Sequence, residues 1–347
     1  MRGKPKKVKE KQKELATGKH VERDIVERAQ KEIKGGNLAL GNSPSLVNYF
    51  IKTGVPRFDM LLGGGIPRGK FTLMAGPYGA GKTFLAQVVI GNLQKEGGVA
   101  ALIDAERSYA LDWCQKSGVD TKKLIVSQPT SGEKAWDTVL YLANLGVDLI
   151  VLDSIAALTP EEEIEKGMEE FTIGAQARMV NRGLRKLIQL FTVRAHELGP
   201  EKNPAFIAIN QVRAGIGGPI TFESYPGGKG QQSFAAIIVR MHRGPWHQEG
   251  KDVGFEIVCK TEKNKLRTPF ETCNLPFRFT GEIDALYGLI DAALNAGVIQ
   301  QKGSFFLWND KQVQGKLSLF KYITEEGLQP KLETEVLKKG GEAQGTF

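Results

Sequence analysis

Gly76-Pro77-Tyr78-Gly79-Ala80-Gly81-Lys82-Thr83 satisfies the spacing G-x-x-x-x-G-K-[ST], a pattern whose chemistry is phosphate binding. The glycines let backbone N–H groups wrap a row of phosphates, Lys82 meets the β/γ charge, and Thr83 can offer its hydroxyl to Mg²⁺. A Gly-rich turn without a ligand is the alternative. It does not explain why the motif directly follows the apolar run Phe71 to Ala75 and directly precedes a helix-like segment, Phe84 to Gln94. Strand, loop and helix in that order are the context the motif requires.

Three other apolar runs end in groups that suit a nucleoside triphosphate. Asp148 to Asp153 ends in Asp153-Ser154, a carboxylate at a strand end where it can hold Mg²⁺ together with Thr83; an Asp that caps the next helix is the alternative. Val99 to Asp104 leads into Ala105-Glu106, and Glu106 is the candidate base that polarises the attacking water. Phe206 to Asn210 leads into Gln211, a neutral amide able to report whether the terminal phosphate is present, unless it is a plain surface-loop residue.

These residues need a scaffold that aligns strand ends. The same four runs, with Leu124 to Ser127 and Ala235 to Met241, alternate with longer helix-like segments. Near-continuous apolar strands between helices predict an α/β fold with a mostly parallel sheet covered on both faces, which binds ligands beyond the carboxyl ends of its strands. After about Phe279 the pattern changes to a helix over Glu282 to Ala296, a hairpin around Trp308-Asn309-Asp310 and a further short helix. From Lys338 to Phe347 the chain is Gly-rich and is expected to be disordered. The expected organisation is a basic N-terminal helix and linker over 1–45, a core over 46–280, and a small α+β domain over 281–347 with a disordered tail.

Composition agrees with a folded soluble protein: 41% of residues are apolar and 25% charged, near the ordinary globular average. No segment has the form of an export signal or a membrane span, so a cytoplasmic location is expected. Cys114, Cys259 and Cys273 are too widely spaced for a metal cluster and read as plain thiols in a reducing compartment. The formal charge of +8 is concentrated, because residues 1–34 hold 12 Lys/Arg against 6 Asp/Glu. Such a segment suits nucleic acid, or is a solvated helix that only aids solubility. Within it Val21, Ile25, Val26, Ala29 and Ile33 form a narrow apolar stripe at helical spacing that must dock on its own core or on a neighbouring copy.

Arg178, Arg182 and Arg185, spaced by four and three, share one helical face. The stripe suits a phosphate backbone or is a solvated face. Val212 to Gly228 is long, Gly-rich and without periodicity, which in a compact domain marks a functional or disordered loop. Arg213 and the amides of Gly227 and Gly228 could bind phosphates there.

Taken in order, the four strand ends resemble the RecA family of recombinases, of bacterial or phage type. The similarity includes Ile103-Asp104-Ala105-Glu106, Ser127-Gln128-Pro129, Asp153-Ser154-Ile155-Ala156-Ala157-Leu158-Thr159-Pro160 and Ile209-Asn210-Gln211-Val212-Arg213, and covers roughly residues 50 to 325. It implies a RecA-like P-loop core in which Glu106 activates water and Gln211 couples the terminal phosphate to the adjoining DNA loop. In Lys260-Thr261-Glu262-Lys263-Asn264-Lys265, Lys263 and Lys265 match the lysines that complete the ATP site of the adjoining subunit. Trp113, or less favourably Tyr109, would stack on adenine. Lys166 to Gly174 is similar to the first DNA-binding loop, Arg178 and Arg185 match phosphate-contacting arginines, and Ile173 and Ile216 match apolar residues inserted between bases. Ile173 stands where methionine is common, Gly228-Lys229-Gly230-Gln231-Gln232 is lengthened, and the acidic C-terminal tail of many bacterial relatives is missing.

The expected function is ATP- and Mg²⁺-dependent strand exchange between single-stranded DNA and homologous duplex DNA by a helical filament of subunits. A hexameric helicase on the same core, or a nucleotide-responsive DNA-binding protein without exchange activity, are the alternatives.

Overall fold

The computed structural model describes residues 21–33, 38–167, 169, 173–214, 223–248 and 252–342. Two short antiparallel strands, β1 (Phe50–Ile51) and β2 (Ile66–Pro67), lead into β3 (Phe71–Gly76). Next come β4 (Ala100–Asp104), β5 (Ile125–Ser127), β6 (Leu149–Asp153) and β7 (Ala205–Gln211). A two-residue ladder follows, β8 (Arg213–Ala214) with β9 (Glu223–Ser224), and then β10 (Ile237–Gln248), β11 (Asp252–Asn264), β12 (Thr272–Arg278) and β13 (Glu282–Ile283). The remaining strands are β14 (Gln300–Lys302), β15 (Phe305–Trp308) and β16 (Lys311–Gln314).

The main sheet runs β13-β12-β11-β10-β3-β7-β6-β4-β5. β10, β3, β7, β6, β4 and β5 are parallel, and β11, β12 and β13 extend one edge antiparallel. The α/β expectation therefore holds. Its cause is visible residue by residue: along β7, Ala205, Ile207 and Ile209 enter one core while Phe206 and Ala208 enter the other. A strand buried on both faces must be apolar at every position.

One core lies under the helices Pro56–Leu62, Lys82–Lys95 and Leu111–Lys116, with Phe58, Leu85, Val89 and Cys114. The other lies under Gly132–Leu145 and Ala175–Leu198, with Trp136, Val139, Leu184 and Leu187. All three cysteines are buried and free.

β3 sits where the strand order reverses. The chain leaves it through helix Lys82–Lys95 to β4, three places away, while its other neighbour is the late strand β10. A crevice forms beyond such a reversal point, and the phosphate-binding motif occupies it.

The C-terminal elements build a third core around Leu289, Ile290, Ala293, Phe306, Trp308, Ile323 and Val336. The hairpin at Trp308 is present, and Asn309 and Asp310 both take positive φ in its turn. Three boundaries differ from expectation. The first C-terminal helix starts at Ala285, because Glu282 and Ile283 pair with β12 and Asp284 caps the helix by accepting from Tyr287 N at 3.0 Å. β10 runs on to Gln248 as one arm of a long hairpin with β11. The last helix, Gln329–Glu342, passes through Lys338, because Leu332 and Val336 are buried against the third core; residues 343–347 of the expected disordered tail lie outside the described residues. No described helix is long and apolar enough to cross a membrane.

The helix that carries the arginine stripe rests on helix Gly132–Leu145 through Gly183, where a Cβ would lie 2.1 Å from the Trp136 ring. Gly183→Ala is expected to destabilise the fold by about 1–3 kcal/mol through overpacking. The check is the denaturation midpoint, and an unchanged midpoint would contradict this packing.

Candidate nucleotide and nucleic-acid sites

β3 ends at Gly76 and the loop turns back into helix Lys82–Lys95. Gly79 (φ 71°) and Gly81 (φ 82°) occupy the left-handed region that a side chain would resist. Lys82 is buried, and its Nζ donates to the carbonyls of Gly76 at 3.0 Å and Pro77 at 2.7 Å. Burial pushes its ammonium below the ordinary lysine range, opposed by the Asp153 and Glu106 carboxylates.

Thr83 Oγ1 donates to Asp153 Oδ2 at 2.7 Å. Burial raises the Asp153 carboxyl to about 6; the Thr83 bond lowers it, and the Glu106 and Asp104 carboxylates add to the rise. A buried carboxylate next to a hydroxyl and short of positive charge is a donor set that fits a hard divalent cation. Among the described residues no group of three or more His, Cys, Asp or Glu could hold a metal.

The loop after β4 is built around Asp104, whose carboxylate accepts from Ser108 N (3.0 Å), Tyr109 N (3.1 Å) and Gln128 Nε2 (2.8 Å). Ala105 N and Glu106 N both donate to the Asp153 carbonyl at 2.7 and 3.2 Å, which binds this loop to the end of β6. Arg107 takes φ 54° in the turn. Glu106 is thereby held over the cleft with its carboxylate exposed to solvent. Its Oε1 accepts from Ser154 Oγ at 2.5 Å and from Gln211 Nε2 at 2.9 Å.

The cleft has a volume of about 560 Å³ and brings together Tyr78 to Thr83, Glu106, Asp153 and Gln211. Its far wall is aromatic: Trp113 lies 6.2 Å from Phe84 and 6.3 Å from Phe277, ring centre to ring centre. Phe255, Phe279 and Arg243 complete that wall. Tyr109 packs against the same core as Trp113 but does not line the cleft.

Sequence reading missed Ser154 as a partner of Glu106, although it stands within a quoted motif. It also missed the wall of Arg243, Phe255, Phe277 and Phe279, which β10, β11, β12 and the residue after it bring back from the far end of the chain. Nothing local marks those four.

Lys263 and Lys265 do not line this cleft. Lys263 Nζ donates to the carbonyls of Gln232 at 2.7 Å and Ser233 at 3.0 Å, and Lys265 is exposed.

Arg178, Arg182 and Arg185 are all exposed along helix Ala175–Leu198, so the spacing does place them on one solvent face. Arg178 pairs with Glu162 at 3.5 Å and donates to the Ile173 carbonyl at 2.9 Å. Ile173 is 89% exposed just before this helix. Arg213 opens the ladder β8–β9, opposite Ser224; Ile216 lies outside the described residues. Gly227 and Gly228 close the loop against this helix and its approach, where a Cβ would meet Ile155 at 2.7 Å and Ala177 at 2.8 Å respectively. The segment Gly228 to Gln232 contains the start of the short helix Gly230–Phe234.

Comparison with known proteins agrees with this arrangement. The family model for the RecA N-terminal domain matches residues 19–284. Protein RecA of Thermus aquaticus is 38% identical over 330 residues, covering 91% of this chain and 93% of that protein. Protein RecA of Aquifex aeolicus is 37% identical over 319 residues (90% and 89%), and that of Mycoplasma mycoides 36% over 313 residues (88% of each). With family match, fold and strand-end chemistry all in agreement, the chain belongs to the RecA family, the ATP-dependent DNA strand-exchange proteins of homologous recombination and repair.

Proposed function

We propose that ATP binds between the Gly76–Thr83 loop and the aromatic wall, with its adenine against Trp113 and its phosphates along the loop amides. Lys82 then exchanges its carbonyl partners for the β/γ-phosphate oxygens. Thr83 and Asp153 would hold Mg²⁺, which when bound screens the phosphate charge. Glu106 orients and polarises the attacking water, and Ser154 fixes its carboxylate. The shared oxygen of Glu106 carries the reading, because it joins the candidate base to Gln211 at 2.9 Å at the mouth of the loop Val212 to Gly228. Gln211 donates to Glu106 when no terminal phosphate is present and to that phosphate when it is. The end of β7 and the ladder β8–β9 therefore sense which nucleotide is bound.

Single-stranded DNA lies along Arg178 and Arg185, Arg213 and the amides of Gly227 and Gly228. Ile173 and Ile216 insert between bases, and the contacts to backbone and π-faces leave binding largely independent of sequence. Homologous duplex DNA is the second substrate. Lys263 and Lys265 serve the ATP site of the neighbouring subunit, since in their own chain they lie away from the cleft. Helix Val21–Glu32 supplies another contact to a neighbour, with Ile25 half exposed on it and Ile33 just beyond. A heterologous contact of this type does not close on itself and produces an open helical filament. The expected setting is the cytoplasm.

Glu106→Gln is expected to lower ATP turnover by about 10²–10⁴-fold, the usual contribution of a general base, while ATP still binds and the DNA complex persists. Steady-state hydrolysis with nucleotide-binding assays checks it, and a normal rate would remove Glu106 from the role. Electron microscopy with single-stranded DNA and a slowly hydrolysed ATP analogue should reveal long helical filaments that require both ligands. Closed rings would instead support a helicase, and isolated particles a binding protein without exchange activity.

A further inference from the structure

The downstream root of the loop Val212 to Gly228 is held by side chains that take no part in the nucleotide chemistry. Asn210 and Gln231 are both fully buried. Asn210 Nδ2 donates to Gln231 Oε1 at 2.7 Å and to the Pro226 carbonyl at 2.9 Å. Gln231 Nε2 donates to the same carbonyl at 2.6 Å and to that of Gly228 at 2.9 Å. Gln176, in the first turn of the arginine-bearing helix, accepts from Gly227 N at 3.1 Å. Tyr225 donates its hydroxyl to Glu262 Oε2 at 2.7 Å, next to Lys263 on β11. Burial and the Glu262 carboxylate push the Tyr225 phenol far above its ordinary range, so it remains a donor.

The placement of Asn210 gives this cluster its meaning. Successive residues of a strand face opposite sides of the sheet, so at the end of β7 Gln211 lines the cleft while Asn210 grips the loop root. Any displacement of that strand end acts on both. In a low-dielectric interior such amide contacts are stiff and costly to break, so the root moves with the strand instead of slipping past it. Asn210 Oδ1, moreover, is buried with no hydrogen-bond partner among the described residues.

We propose that Gln231 and Tyr225 are positioning residues that transmit the state of the nucleotide cleft to the DNA loop, Gln231 through Asn210 on β7 and Tyr225 through Glu262 on the strand that carries Lys263. Neither residue lines the cleft. The inference rests on the proposed reading of Gln211 as the reporter of the phosphate and of the loop Val212 to Gly228 as a DNA-binding element.

The test uses the full-length chain with Tyr225→Phe, which removes one oxygen, and Gln231→Met, which keeps the side chain's length without its amide. Four quantities are read for each: thermal melting, ATP hydrolysis without DNA, its stimulation by single-stranded DNA, and the ratio of DNA affinities with a slowly hydrolysed ATP analogue and with ADP. Both variants should keep wild-type DNA-free hydrolysis; Tyr225→Phe should melt as wild type, whereas Gln231→Met, which leaves the Asn210 amide and two carbonyls short of a partner, should melt lower. Stimulation and the affinity ratio should fall by about fivefold or more, the scale of a typical coupling between sites. Glu262→Leu should reproduce the Tyr225→Phe loss, with no further loss in the double variant.

Wild-type stimulation and affinity ratio in both variants would overturn the inference alone. Equal loss of basal and stimulated hydrolysis would overturn it as well, since that is the signature of a purely structural role. A wild-type protein that DNA does not stimulate would reject the reading of the loop, and this inference with it.

Discussion

One carboxylate oxygen, Glu106 Oε1, lies where the cleft and the mouth of the loop Val212 to Gly228 meet, and it accepts from both Ser154 and Gln211. Three strand ends must coincide to make that possible: β4 delivers Glu106, β6 delivers Ser154, and β7 delivers Gln211. The registers Asp104↔Asp153 and Leu152↔Ala208 set those ends level, and they are fixed by hydrophobic residues that alternate between two cores. Slipping a strand by one residue would turn each of its side chains to the other face. The chemistry at the top of the sheet is in this sense a consequence of the packing beneath it.

The same sheet explains the electrostatics. Lys82 and Asp153 are drawn in opposite directions by one cause, burial, Lys82 at the start of the helix that follows β3 and Asp153 at the end of β6. Among the described residues Lys82 donates to two carbonyls and Asp153 accepts from the Thr83 hydroxyl. A phosphate and a divalent cation would supply the charges that these two groups are short of.

What could be read from the sequence was what is encoded locally. The phosphate loop depends on contiguous glycines and a lysine, the strands on unbroken apolar runs, and the arginine face on a four-and-three spacing. What escaped was non-local or a matter of competing partners. Phe277 and Phe279 reach the cleft only because β12 joins the antiparallel edge, and Ser154 turns to Glu106 across a distance of 48 residues in sequence. The last helix continues past Lys338 because tertiary burial of Leu332 and Val336 outweighs the weak propensity of its glycines. Asn210 and Gln231 carry no mark in the sequence of being buried opposite one another.

The most direct test of the central claim, that the nucleotide controls the DNA loop through Gln211, is the single-stranded DNA affinity of Gln211→Ala against wild type, each with a slowly hydrolysed ATP analogue and with ADP. The account requires wild type to bind more tightly with the analogue than with ADP, and Gln211→Ala to bind the nucleotides as before while its DNA affinity is the same with either. A variant that keeps the wild-type difference between the two nucleotides would contradict it.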